Sequence, residues 1–253
     1  MTRPLVSIQN AGKIYKNGTV ALAGLDLDVR ESEVLTLLGP SGCGKSTILR
    51  LIAGLDNLSS GTLTRDFELE HASIGYVFQD PTLMPWASVF DNVFLPLRLR
   101  GVARSEASPA VNEALALVGL TPSGRVFPRE LSGGMRMRAS IARALVLRPL
   151  VLLMDEPFAA LDEITRFKLN DDVLALQVEL GTTIVFVTHS VFESVFLSSR
   201  IAVMGPRPGR VVAEIAIDAP SPRDRDFRTS SVYAHSCAQA SRALQGTMDE
   251  DLT

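Results

Sequence analysis

Cysteine is almost missing from this chain: Cys43 and Cys237 are the only two in 253 residues. They make no disulfide framework, so the fold must rest on a hydrophobic core, and a reducing cytosol is the expected setting. Long apolar runs are missing as well. No stretch approaches the roughly 18 uninterrupted apolar residues of a membrane span. The N-terminal MTRPLVSIQNAGKIYKNG lacks the apolar stretch and small-residue cleavage site of a signal peptide. An excess of positive charge is missing too, with 25 Lys and Arg against 28 Asp and Glu, a net charge of −3 and a pI near 5.7. Chains built to neutralise nucleic-acid phosphates are basic, so no nucleic-acid partner is expected, although composition leaves room for a local basic patch. Internal repeats and low-complexity blocks are absent from the sequence.

What remains is ordinary globular composition, 46% hydrophobic and 21% charged, long enough for one large α/β domain or a core with a smaller insert. The mean hydropathy of +0.20 is high for a soluble chain. Buried parallel strands account for that, and so does a docking surface for an apolar partner. The segments LVSIQN and LDLDVR alternate apolar and polar residues, as half-buried antiparallel strands do. Further on, VLTLLG, SIGYVFQ, LVLLMDE, TIVFVTH and RIAVMG are short, nearly continuous apolar runs that end in glycine or a polar residue. That is the pattern of parallel strands delivering side chains to a site at their C-terminal ends. Helical patterns lie between them in KSTILRLIAGL, EITRFKLNDDVLALQVEL and VFESVFLSS.

Residues from about 85 to 148 break this alternation with successive helical stretches and no strand. The expected organisation is therefore an α/β core with an antiparallel β subdomain at 1–84 and 149–218. A helical subdomain follows at 85–148, and 219–253 forms a tail of polar linker, short amphipathic helix and acidic end.

The first chemical signal is GPSGCGKST, which fits G-x-x-x-x-G-K-[ST] at Gly39, Gly44, Lys45 and Ser46 between an apolar run and a helical pattern. With glycine at about 7% of residues, a chance match in a chain this long is on the order of one in a hundred. A plain glycine-rich turn is therefore the weaker reading. Gly39, Pro40, Ser41, Gly42, Cys43, Gly44 and Thr47 belong to a loop whose backbone N–H groups, which Pro40 lacks, surround the phosphates of a nucleotide. Lys45 reaches the β and γ oxygens and the Ser46 hydroxyl holds Mg²⁺. Downstream, LLMDEP ends a strand in adjacent acids. Asp155, expected on the strand next to the loop, joins the Mg²⁺ shell, and Glu156 is placed to polarise an attacking water. Alone, such a pair is equally a solvated turn or a helix cap.

The stretch RELSGGMRMRASIARAL then offers a second anion site, because Ser132 is a good helix N-cap and the amides of Gly133 and Gly134 follow it. An isolated Ser-Gly-Gly is merely a capped helix. Taken in order, however, Tyr15, GPSGCGKST, VFQD with Gln79, LSGG, LLMDEP, ALD with Asp162 and VTH with His189 resemble the ATP-binding subunits of ABC transporters, over residues from about 5 to 215. That resemblance implies a P-loop NTPase core of RecA-like type with an antiparallel β subdomain and a helical insert. It implies ATP and Mg²⁺ as cofactors, and a head-to-tail dimer in which each ATP lies between the phosphate loop of one copy and the LSGG of the other.

By the same resemblance, Tyr15 stacks on adenine, Gln79 senses Mg²⁺ and water at the γ-phosphate, His189 clamps the γ-phosphate and orients the base, and Asp162 belongs to the nucleotide site. Residue by residue, Tyr15 is otherwise a strand-edge aromatic, Gln79 a strand-end polar group and His189 a core histidine. The chain departs from the family pattern at Met135, where Gln or Glu is common, at Met137, and at Ser190, where Asp is frequent.

The segments FQDPTLMPWASVFDNV, LSGGMRMR and THSVFESVFLSSRIAVMGPRPGR are similar to the importers of nitrate, sulfonates and taurine. This implies an ATPase subunit on the cytoplasmic face of the inner membrane. Its partners are a second copy, transmembrane permease subunits and, indirectly, an extracytoplasmic solute-binding protein. Trp86, the only tryptophan, then lines the permease groove or else sits in the core of the helical insert. PRPGR at 206–210 is also readable as a plain turn. The alternatives are an ABC-type ATPase acting on nucleic acid or the ribosome, disfavoured by the acidic charge, and a P-loop kinase, which leaves LSGG and His189 unexplained.

Overall fold

The protein is described from a computed structural model, which covers residues 4–69, 73–219, 223 and 225–249. The expected acidic C-terminal end lies almost wholly outside these residues. Two sheets organise the chain. In the smaller, β1 (Val6–Ile14) runs antiparallel between β2 (Val20–Val29) and β4 (Ser60–Arg65). The larger has the order β5-β6-β7-β3-β8-β9, with β5 (Ile74–Val77), β6 (Val151–Asp155), β7 (Thr183–Thr188), β3 (Val34–Leu38), β8 (Arg200–Met204) and β9 (Val211–Ala216). Its strands are parallel except β9, which returns antiparallel along β8.

The continuous apolar runs follow from burial on both faces of this sheet. In β3, Leu35 and Leu37 face the core under the antiparallel sheet, while Val34 and Leu38 face the helical side. In β6, Val151 and Leu153 divide from Leu152 and Met154 in the same way, and in β7 Val185 and Val187 divide from Ile184 and Phe186. Each side chain alternates faces, so a strand covered on both sides is apolar at every position.

Helix α1 (Lys45–Ile52) follows β3. Between β5 and β6 the chain forms α2 (Val89–Leu99), α3 (Arg104–Leu117) and α4 (Gly133–Leu145). Then α5 (Glu163–Leu180) links β6 to β7, and α6 (Val191–Leu197) links β7 to β8. Four helix starts obey local chemistry: Ser88, Ser132, Asp162 and Ser190 each accept the backbone N–H three residues on, at 3.1, 3.3, 2.9 and 3.3 Å. Such a cap satisfies a donor that the first helical turn leaves over. Helix α5 ends at Gly181 with φ +63°, the left-handed conformation that suits glycine.

Three expectations need correction. The chain carries two strands that sequence patterning did not mark, β4 and β9; β4 in particular is mostly exposed and held by backbone pairing to β1, so no apolar pattern announces it. The C-terminal helix α7 (Ser231–Asp249) is 19 residues rather than short. Its Tyr233, Cys237 and Ala240 are buried at helical spacing, and the helix packs on α6, β8 and β9. Trp86 is 77% exposed and is therefore no core residue. No helix of the described residues is long and apolar enough to cross a membrane.

Candidate active site

The parallel strands end on one side of the sheet, and the predicted chemistry collects there. After β3 the chain turns through residues 39–44, with Gly42 at φ +80° and Gly44 at φ +99°, conformations that an L side chain resists. A Cβ on Gly44 would stand 2.8 Å from Leu22 of β2 and 3.0 Å from the Ala21 carbonyl, so this glycine also lets the loop press against the antiparallel sheet. The loop borders a cavity of about 370 Å³ lined by Tyr15, Ser41, Gly42, Gly44, Lys45, Ser46, Thr47, Gln79, Asp155 and Glu156, with Thr19, Ala21 and Arg207 completing the wall.

Lys45 is buried, and its Nζ donates to the Gly39 and Pro40 carbonyls at 2.8 Å each, so the loop backbone aims its charge. Glu156 Oε1 stands 3.7 Å from that ammonium. Cys43 is also buried. Burial pushes its thiol pKa up despite the charge of Lys45, which makes it a packing residue and not a nucleophile.

Ser46 Oγ donates to Asp155 Oδ1 at 2.8 Å, and the Tyr76 hydroxyl donates to Asp155 Oδ2 at 3.2 Å. Asp155 is thus brought to Ser46, but not from the adjacent strand: β7 lies between β3 and β6. The contact forms beyond the strand ends, between Ser46 in the first turn of α1 and Asp155 at the end of β6. Burial holds the Asp155 carboxyl above the usual carboxylate range, opposed by the Ser46 and Tyr76 hydrogen bonds and assisted by the Glu156 charge. Burial and the Asp155 charge likewise push the Tyr76 phenol well above its usual range, so it remains a donor.

Glu156 has φ +45°, rare for a residue with a side chain, and its N–H donates to Val187 O at 3.1 Å. This bend sets its carboxylate beside His189, whose Nδ1 lies 3.1 Å from Glu156 Oε2. His189 follows β7 and joins the site through Glu156; it does not line the cavity itself. Tyr15 OH and Thr47 Oγ1 share a hydrogen bond at 3.1 Å, which fixes the ring at the cavity edge.

Ser132, Gly133, Gly134 and Asp162 are elsewhere. None of them lines this cavity. They are neighbours of one another: a Cβ on Gly134 would meet Thr165 Cγ2 at 2.6 Å, and one on Gly133 would meet Leu161 at 3.2 Å, so glycine lets the start of α4 lie against the start of α5. The Thr165 N–H bound by the Asp162 carboxylate keeps that carboxyl below its ordinary range. Two of the three departures from the family pattern also acquire reasons. Met137 is 2% exposed and part of the core, and Ser190 serves as the N-cap of α6.

Two site residues were not singled out from sequence. Tyr76 reads as one more aromatic in an apolar strand, and only its place opposite Asp155 reveals a role. Arg207 sits in PRPGR, and only packing brings that turn to the phosphate loop.

The donors present suit both groups that the sequence implies. The loop amides and Lys45 offer an anion site. Among the described residues no cluster of three or more His, Cys, Asp or Glu could cage a metal alone, while a hydroxyl beside one half-buried carboxylate is the sparse oxygen set that Mg²⁺ takes when phosphates supply the rest.

Comparison with known proteins agrees with this geometry. The family described as ABC transporter matches residues 22–159. The taurine import ATP-binding protein of Rhizobium johnstonii is 43% identical over 243 residues, covering 93% of each chain. An aliphatic sulfonates import ATP-binding protein of Pseudomonas syringae is 40% identical over 245 residues, covering 97% of this chain and 98% of its own. Among solved structures, the ATP-binding cassette MJ0796, a dimer in a post-hydrolysis state bound to ADP and Pi, superposes with a TM-score of 0.73 at 32% identity, covering 85% of this chain and 100% of that one.

Proposed function

Because this chain belongs to the ABC transporter family of ATP-binding proteins, we propose that it is the ATP-hydrolysing subunit of an importer for a small anion of the nitrate, sulfonate or taurine type. The observation that carries the reading is the convergence of Lys45, Ser46, Asp155, Glu156 and, behind Glu156, His189 on one cavity, while the LSGG segment lies outside it. A site so divided supports a head-to-tail dimer in which a second copy supplies Ser132, Gly133 and Gly134 to the bound ATP.

In this reading Tyr15 stacks on adenine, and the loop amides with Lys45 bind the phosphates. Ser46 and Asp155 would hold Mg²⁺, and Gln79 lines the same cavity; a bound Mg²⁺ would supply charge neutralisation for the phosphates. Tyr76 holds one Asp155 oxygen so that the other faces Ser46. Glu156 accepts the proton of the attacking water, and His189 keeps that carboxylate oriented. Closure of the dimer on ATP drives the permease, and hydrolysis reopens it. The permease places the chain on the cytoplasmic face of the inner membrane, and a solute-binding protein outside delivers the cargo. The alternative, an ATPase working on nucleic acid or the ribosome, gains nothing from a net charge of −3 or from relatives named for import.

The test is the Glu156→Gln protein. It should bind ATP and lose hydrolysis by about 10²–10⁴-fold, the usual worth of a general base; turnover like the wild type would remove Glu156 from that role. With ATP present, the tagged variant should recover a multi-span permease from detergent-solubilised membranes of the source. Recovery of soluble partners alone would leave an ATPase and remove the transporter.

A further inference from the structure

We infer that Arg207 is a nucleotide-contacting residue whose guanidinium binds the phosphate chain from the outer rim of the phosphate loop. The inference rests on the ATP site proposed above and adds a wall to it. Its starting point is PRPGR at 206–210, the turn between β8 and β9. The turn is closed by the Gly205 N–H donating to Arg210 O at 2.9 Å. It is fastened to β2 on its flank, where the Gly209 N–H donates to Ala21 O at 2.9 Å and the Ala23 N–H to Gly209 O at 3.3 Å. On the other side it abuts the phosphate loop so closely that a Cβ on Gly209 would lie 2.1 Å from the Cys43 carbonyl.

From this seat Arg207 extends along the loop. Its Nε and Nη2 donate to the Gly42 carbonyl at 3.3 and 3.2 Å, and its side chain lines the cavity beside Ser41 and Gly42. One neutral oxygen at those distances engages little of a group with five N–H donors. Among the described residues no carboxylate pairs with it within salt-bridge distance. The other cation of the cavity, Lys45, is already bound to two loop carbonyls and faces Glu156. A planar cation fork at the rim of a phosphate loop matches phosphate oxygens, which accept two parallel N–H bonds. Because Arg207 is exposed, its attraction is screened by water and salt and is modest in size.

Binding of ADP by the purified full chain, measured by displacement of a fluorescent nucleotide, tests this. Arg207→Ala should weaken ADP binding about fivefold to tenfold at low salt, the scale of one charge-assisted contact. The gap should narrow as salt rises, and Arg207→Lys should restore part of the affinity. The loss should be equal for ADP, 2′-deoxy-ADP and IDP, because only their phosphates are common. The melting temperature should be nearly unchanged. Equal affinity of variant and wild type overturns the inference. So does a loss that ignores salt and accompanies a lower melting temperature, which would mark a brace for the loop, and so does a loss that differs among the three nucleotides. A wild-type chain that binds no ADP would instead overturn the ATPase reading on which the inference rests.

Discussion

Glu193 shows how much a single residue near the site depends on its neighbours. It lies one helical turn after His189 and is 7% exposed. The Thr188 hydroxyl donates to its Oε2 at 2.5 Å, Ser190 caps its N–H, and Arg166 Nε stands 3.6 Å from its Oε1. Burial nevertheless dominates and raises its carboxyl above the ordinary 4.5, against the Thr188 bond and the Arg166 charge. The sign follows from proton counting. Between 4.5 and the raised value the folded chain binds more protons than the unfolded one, so this group makes stability fall as pH rises through that window. Glu193→Gln should remove that fall, leaving the variant gaining on the wild type by about 1.4 kcal/mol for each unit by which the carboxyl is raised. Thermal unfolding of both proteins from pH 4 to 8 measures it, and a difference that does not change with pH would show that Glu193 is not raised. From sequence Glu193 was one polar position in a helical pattern. Asp155, Glu156 and His189 were legible because each terminates an apolar strand, whereas Tyr76 and Arg207 owe their roles to partners 79 and 165 residues away.

At the scale of elements, legibility tracked burial. Strands covered on both faces and helices with a capping residue were readable, since each writes its environment into local sequence. The edge strand β4 was not, because pairing to β1 uses backbone groups that every residue possesses. The β8–β9 turn is the element whose packing matters most to the site. Gly209→Ala puts a methyl against the Cys43 carbonyl, 2.1 Å away, and neither backbone can move without shifting β2 or the phosphate loop. The expected cost is about 2 kcal/mol, or roughly 4–8 °C in melting temperature, together with weaker ADP binding. Calorimetry and nucleotide displacement on one preparation check both, and a variant that melts and binds like the wild type would mean the turn relaxes freely.

At the scale of the whole molecule, the divided site makes a complementation test decisive. Lys45→Ala disables the phosphate loop, and Ser132→Arg, at an exposed helix start, disables the LSGG. Each purified variant should be inactive. If two copies pair head to tail, an equal mixture contains heterodimers with one intact site, and activity should return to about a quarter of wild type, half the dimers carrying one site of two. A mixture as inactive as its components would mean that every site is built within one chain. The net charge of −3 and the absence, among the described residues, of any helix able to span a membrane leave the link to a membrane to the permease partner of the proposed function.

The sequence by itself determined the buried parallel strands, the phosphate loop, the acids at the end of β6 and the cap of α4, because hydrophobic period, glycine conformation and capping act over a few residues. It also marked two segments as candidate anion sites. Only the tertiary structure decided their relation. The parallel strands bring Ser46, Asp155, Glu156 and His189 together across β7, and α4 starts against α5, outside the cavity. That division, and the seating of Arg207 on the loop, are products of long-range packing. No local pattern encodes them, since the contacts join residues that are distant in the chain.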